Sequence, residues 1–388
     1  MDTDRTDWRL VLLIWAAGLG AAGQYGKLSV VFDRLPEAYP QAGTSLGFAV
    51  SLVGFLGILL GVVAGVLVAR IGYRRALLTA LCTGALMSAF QATFPPLWLF
   101  LSSRVIEGAA HLAIVVAAPT MIAEVTRDRD RPLALTLWST FFAVAFAILA
   151  WAGIPAAARF GLGALIGAHA VYMAVMAAVL WPILPRVRKG VATPLQRGEL
   201  LAAHARIYRS PFIGAAAWGW LFYTACFVAV LTVLAPFLPS ANRALVLGLM
   251  PLASLATSMT LGVWLLRRTT AVSVSVAGFA ACAVVAAGLW AMPGSPVLFL
   301  ALGATLGLVQ GSGFSVVPQL NQTLDDRALA NGGMAQAGNL GNTVGTPLMV
   351  GVIAVAGYGG LMIMLCLLFL AGAGVHLALQ RRRDGHIA

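Results

Sequence analysis

Hydropathy along the chain alternates long apolar runs with short polar or charged punctuation. Twelve runs reach the ~20 residues that a helix needs to cross a hydrocarbon core of ~30 Å. They fall at 9–32, 45–69, 75–94, 97–123, 133–154, 161–184, 211–235, 244–266, 271–292, 296–318, 330–356 and 358–379. One connector is much longer than the rest, PRVRKGVATPLQRGELLAAHARIYRSP from Pro185 to Pro211, and it divides six runs from six. The pattern predicts an all-α integral membrane protein with twelve transmembrane helices in two pseudo-symmetric six-helix halves. The first half is 1–184, a basic cytoplasmic linker occupies 185–211, and the second half with a short cytoplasmic tail is 212–388. ELLAAHARIY within the linker is expected as a surface helix on the cytoplasmic face.

Charge punctuation repeats between the halves. Arg70 follows the second run and Arg127 the fourth, and Arg267 and Arg327 follow the eighth and tenth at nearly the same separation. EVTRDRDRPLAL after the fourth run also resembles QTLDDRALAN after the tenth. A parallel six-plus-six duplication is the economical reading.

Composition agrees with the runs: 60% hydrophobic and 10% charged residues are too apolar for a soluble domain of 388 residues. The net charge of +12 raises the question of nucleic acid, and the position of the charges answers it. With the N-terminus inside, twenty of the 25 basic residues fall on the cytoplasmic side. That bias orients the chain with both termini cytoplasmic, as a multi-pass protein of the cell's inner (plasma) membrane. No small-residue cleavage site follows the first run, so that helix is expected to stay in the mature protein. Cys82, Cys226, Cys282 and Cys366 lie within runs at no metal-ligand or CxxC spacing, and neither a metal nor a cofactor is expected.

Candidate chemistry is concentrated where ionisable residues interrupt an apolar run. Arg104, Glu107 and His111 lie in the fourth run at offsets of three and four, one face of a helix. Ionised groups at that depth are costly unless they face a protein interior or a wet cavity, so the stripe should point inward. Arg104 and Glu107 are either a local structural pair or a working site, and His111 either bonds a neighbouring helix or titrates. Lys27, after Gln24 and Tyr25 in the first run, either shares the level of Arg104 in a cavity or snorkels to the headgroups. The second half offers polarity without charge: Gln310, Ser312, Ser315 and Gln319 in the tenth run, and Gln336, Asn339, Asn342 and Thr343 in the eleventh. These are interhelical hydrogen bonds or cavity donors and acceptors. Gly57, Gly61 and Gly65, and likewise Gly341 and Gly345, form small-residue ridges for close helix packing.

Two strings carry a family resemblance. GVLVARIGYRRALL after the second run resembles the loop signature of the major facilitator superfamily, Gly-x-Leu-x-Asp-Arg-x-Gly-(Arg/Lys)-(Arg/Lys), through Gly65, Leu67, Arg70, Gly72, Arg74 and Arg75, with Ala69 where the signature has Asp. RVIEGAAH resembles the family's Arg-x-x-x-Gly element, with Arg104 and Gly108 in register. The Gly-Pro-x-x-Gly-Gly pattern of the family's drug and proton antiporters has no counterpart in FFAVAFAILAWAGIP of the fifth run. The resemblance implies a monomeric secondary transporter in the bilayer that moves a small solute by alternating access, with the signature loop as a gate. Net positive charge at Lys27, Arg104 and Glu107 favours an anionic or carboxylate-bearing solute. The expected binding set is Lys27, Arg104, Tyr25, Gln24, Gln310, Gln336 and Asn339, with protons coupled through Glu107 and His111. Efflux of a small amphipathic drug-like compound is the alternative on the same fold. An intramembrane enzyme would need paired Asp, HExxH or a Ser and His couple, a channel would dispense with the duplication, and no nucleotide-binding P-loop is present.

Overall fold

The computed structural model describes residues 6–61, 63–127, 129–185 and 197–387. Arg186, Arg188 and Lys189 of the linker lie outside them. All regular structure among the described residues is helical, and the chain forms two compact units, Met1–Thr193 and Pro194–Ala388.

In the first unit, α1 (Trp8–Ser29) is followed by a segmented stretch of α2 (Leu46–Ser51), a 3-10 turn (Leu52–Gly54), α3 (Phe55–Leu60) and α4 (Ala64–Ile71). Two long helices come next, α5 (Tyr73–Gln91) and α6 (Leu97–Glu124). A second segmented stretch joins α7 (Arg131–Ser139), α8 (Phe141–Ile148), a π-helical turn (Leu149–Gly153) and α9 (Ile154–Phe160), before α10 (Leu162–Ile183). The second unit holds α11 (Arg197–Arg209), α12 (Ala215–Val233), α13 (Arg243–Thr257), a π-helical turn (Ser258–Gly262), α14 (Val263–Leu266), α15 (Ala271–Ala291), α16 (Pro296–Leu320) and α17 (Leu324–Ile387). Gly357, at φ 62°, breaks α17 in two. The helix expected in the linker is α11.

Among the described residues, nine helical stretches are long and apolar enough to cross a bilayer. Asp325–Gly385 is one of them although Gly357 divides it. α1 and α5 are not among the nine. α1 carries Arg9, Gln24 and Lys27, and α5 opens on Arg74 and Arg75.

Local chemistry sets several helix ends. Asp7 accepts from Leu10 N at the start of α1, and Ser295 accepts from Leu298 N ahead of Pro296 in α16. Gly72 joins α4 to α5 at φ 92°, a conformation that disfavours any side chain. Arg74 then reaches the end of α10, donating to Leu184 O at 3.1 Å and Trp181 O at 2.5 Å with its guanidinium over the Trp181 ring. Those carbonyls are among the ones a helix C-terminus leaves open. The signature-like loop therefore ties α5 to α10 through Arg74, while Arg70 and Arg75 are exposed. In the connector after α1, Arg34 bonds the Glu37 carboxylate and holds it below the usual carboxylate range. Tyr39 donates to Pro95 O, and burial pushes its phenol up to about 12.

Small residues bring the helices together, as packing in lipid requires where no hydrophobic drive separates helix from tail. A Cβ on Gly108 of α6 would lie 2.4 Å from Val53 O, and one on Gly307 of α16 would lie 2.1 Å from Ser254 O. The ridge at Gly341 and Gly345 packs on α12, where added Cβ atoms would meet Leu221 O and Ala225 O. Each unit repeats one set of neighbours: α5 packs on α6 and α10, and α15 on α16 and α17.

Candidate functional site

The polar stripe of α6 is the centre of a buried ion cluster within the first unit. Lys27, Arg104 and Glu107 are each 0% exposed. Glu107 Oε1 accepts from Lys27 Nζ at 2.6 Å, and its Oε2 accepts from Gln91 Nε2 at 2.8 Å and from Arg104 Nη1. Lys27 therefore does not run to the headgroups; it crosses to α6 and pairs there. Arg104 is held from two further sides, donating through Nε to Ala49 O and through Nη2 to Gln24 O, each at 2.6 Å. Ala49 lies just ahead of the 3-10 turn Leu52–Gly54, and a change of backbone bonding pattern leaves carbonyls open to an outside donor.

Three residues of the cluster were not singled out from the sequence. Ser88 of α5 accepts from Lys27 Nζ at 2.6 Å, lies 3.3 Å from Glu107 Oε1 and 2.8 Å from His169 Nδ1. Gln91, one turn further along α5, also bonds Ser103 Oγ at 3.0 Å. His169 of α10 closes the chain with Nε2 2.9 Å from Gly20 O. Serine and glutamine are common in helices, and a lone histidine in an apolar run gives no spacing signal. Only the packing of α5 and α10 on α6 and α1 reveals them.

The remaining expected residues sort differently. His111 turns away from the carboxylate: its Nδ1 is 3.1 Å from Ala21 O and its ring packs edge-on to Tyr25 at 5.2 Å. The bonded chain that leaves Glu107 Oε1 runs through Ser88 to His169. Gln24 contributes its backbone carbonyl, while its side-chain amide and the Tyr25 hydroxyl are buried without a hydrogen-bond partner among the described residues. The amide sits beside Gly84 and Met173, where a Cβ on Gly84 would lie 3.0 Å from Gln24 Nε2.

In the second unit several of the polar side chains are bonded between helices. Gln310 accepts from Ser254 at 3.2 Å, Ser275 pairs with Ser312 at 2.8 Å, and Gln319 accepts from Ala271 N at 2.7 Å. Gln336 is taken up by the linker helix, accepting from Tyr208 at 2.8 Å and meeting His204 Nε2 at 3.2 Å. Asn339 bonds back to Ala335 O of its own helix at 2.9 Å. Gln310 and Gln336 are thus bonded to neighbouring helices, and Asn339 to its own.

Helices throughout, long apolar stretches and two cations locked to one carboxylate in the interior define a polytopic membrane protein with a net-positive buried site. The family model of the Major Facilitator Superfamily matches residues 10–323, and the chain belongs to that superfamily. It is accordingly a membrane transporter of the secondary class, whose members bind small-molecule solutes. No curated protein matches the chain.

Proposed function

We propose that this chain moves a small anionic solute, one bearing a carboxylate, across the inner (plasma) membrane by proton-coupled alternating access. In this reading twelve helices cross the membrane in two six-helix halves, with the linker and both termini cytoplasmic. The observation that carries the proposal is the charge count of the buried cluster. Lys27 and Arg104 share one carboxylate, which leaves one positive charge uncompensated at full burial. An isolated charge in such surroundings is costly, and an entering carboxylate cancels it. The unpartnered Tyr25 hydroxyl beside His111 adds a neutral polar contact. A solute carboxylate also competes with Glu107 for the same two cations, so solute binding and the protonation of Glu107 become linked.

The test begins with a thermal-shift screen of organic acids, amines and antibiotics on detergent-purified protein. The strongest hit is then used in proteoliposomes. An organic acid is expected as the hit, accumulating under a pH gradient in the wild type. Glu107→Gln, assayed where it remains folded, is expected to exchange that acid across the membrane without accumulating it. Stabilisation by amines alone would overturn the anionic assignment. Gradient-driven accumulation at the wild-type rate in Glu107→Gln would overturn proton coupling through this carboxylate.

A further inference from the structure

Glu107 is joined through Ser88 to a histidine that the transport proposal does not use. His169 Nε2 lies 2.9 Å from the Gly20 carbonyl oxygen, which can only accept, so Nε2 carries a hydrogen. In a neutral ring Nδ1 is then a bare acceptor, and the Ser88 hydroxyl 2.8 Å away donates to it. Ser88 Oγ in turn accepts from Lys27 Nζ at 2.6 Å. A proton on Nδ1 reverses the order: Nδ1–H donates to Ser88, and the hydroxyl swings to Glu107 Oε1, 3.3 Å away. Ser88 has one hydrogen and two bases competing for it, at opposite ends of one short chain.

We infer that Ser88 passes a proton between His169 and Glu107, so that the coupling proton has two seats on α6 and α10 bridged from α5. In the step, the His169 Nδ1–H bond breaks and its proton goes to Ser88 Oγ as the Ser88 O–H proton goes to Glu107 Oε1. An imidazolium and a carboxylate become a neutral imidazole and a neutral carboxylic acid, and no electrons change hands. The charged and titratable groups around His169 are Lys27 on α1, Arg104 and Glu107 on α6, and Tyr172 on its own helix, whose hydroxyl donates to Ala16 O. Lys27 bonds both Ser88 and Glu107, so movement of its ammonium toward a bound anion frees the hydroxyl and one carboxylate oxygen together.

Two features of the packing fit this use. A Cβ on Gly23 would fall 2.8 Å from the His169 ring, so α1 carries a notch that admits the imidazole. His169 also lines an apolar cleft of about 280 Å³ between α1, the π-helical turn and α10.

The inference rests on proton coupling through Glu107, and the experiment separates the two. Full-length protein in lipid is taken through a pH jump while the carboxylic-acid C=O band of Glu107, identified by its loss in Glu107→Gln, is followed by time-resolved infrared spectroscopy. Ser88→Ala and His169→Phe are expected to slow the appearance of that band by about tenfold or more, the scale of a positioned acid–base group, and Ser88→Thr to restore the rate. The Thr variant keeps the hydroxyl, so it distinguishes loss of the relay from loss of packing. A wild-type rate in Ser88→Ala and His169→Phe would overturn the relay and leave Glu107 as the coupling group. No Glu107 band in the wild type at any pH where the protein stays folded would overturn the coupling itself, and the relay with it.

Discussion

Replacing Glu107 by Gln removes the carboxylate that Lys27, Arg104 and Gln91 share and strands two cations at full burial. Unit charges 2.6 Å apart attract by about 6 kcal/mol at an effective dielectric of ~20. Desolvation of both partners offsets much of that gain, and removing one partner of a buried pair costs about 3–5 kcal/mol. Glu107→Gln is expected to lose stability in that range. Lys27→Met should cost less, because Arg104 and Glu107 remain as a neutral pair. The double variant Lys27→Met/Glu107→Gln returns the site to one net positive charge, as in the wild type, so it should be more stable than the two single losses predict. Reversible denaturant unfolding in mixed micelles on all four proteins gives the coupling directly, expected at about 1–3 kcal/mol. Additivity within about 0.5 kcal/mol would show that Lys27 and Glu107 are adjacent without being energetically coupled.

Further expectations follow from single positions. Gly72→Ala should cost about 1–3 kcal/mol, since φ 92° is strained for any side chain, and thermal unfolding checks it. Gly307→Ala should destabilise by about 1–3 kcal/mol because its Cβ would collide with Ser254 O, whereas Gly351→Ala, with nothing within 4 Å, should not; equal effects would refute the close-packing account. Gly190→Cys should resist membrane-impermeant thiol reagents applied outside intact cells and react after permeabilisation; labelling from outside would invert the proposed topology.

The helical runs and the ionisable stripe were legible in the sequence because a bilayer makes polarity conspicuous: one Arg, Glu or His in an apolar run stands out by its cost. Lys27 could be placed at a similar depth to Arg104, but its bond to Glu107 joins positions 80 residues apart and depends on how α1 lies on α6. His111 shows that proximity along a helix is not direction. One turn from Glu107, it meets α1 at Ala21, a level away from Lys27. Ser88 bridges helices and nothing in its own neighbourhood marks it, whereas His169 does interrupt the sixth run but has no second charge at helical spacing to single it out. The polar residues of α16 and α17 looked alike on paper, and their partners in α11, α13 and α15 decided among them.

The π-helical turn at Leu149–Gly153 has a consequence for comparing sequences. A π turn holds one residue more than an α turn, so the apolar pattern of the sequence shifts by one position across it while the helix keeps its face. Deleting one residue there turns the π turn into an α turn and leaves Ile154–Phe160 on the face it already holds, because the bulge absorbs the extra residue locally. Leu149, Ala152 and Gly153 form one wall of the cleft beside His169. A relative whose alignment shows a one-residue gap between positions 149 and 153 is expected to lack the π turn and keep the flanking helical faces, so such a gap marks a change in that wall and not a turning of the helix.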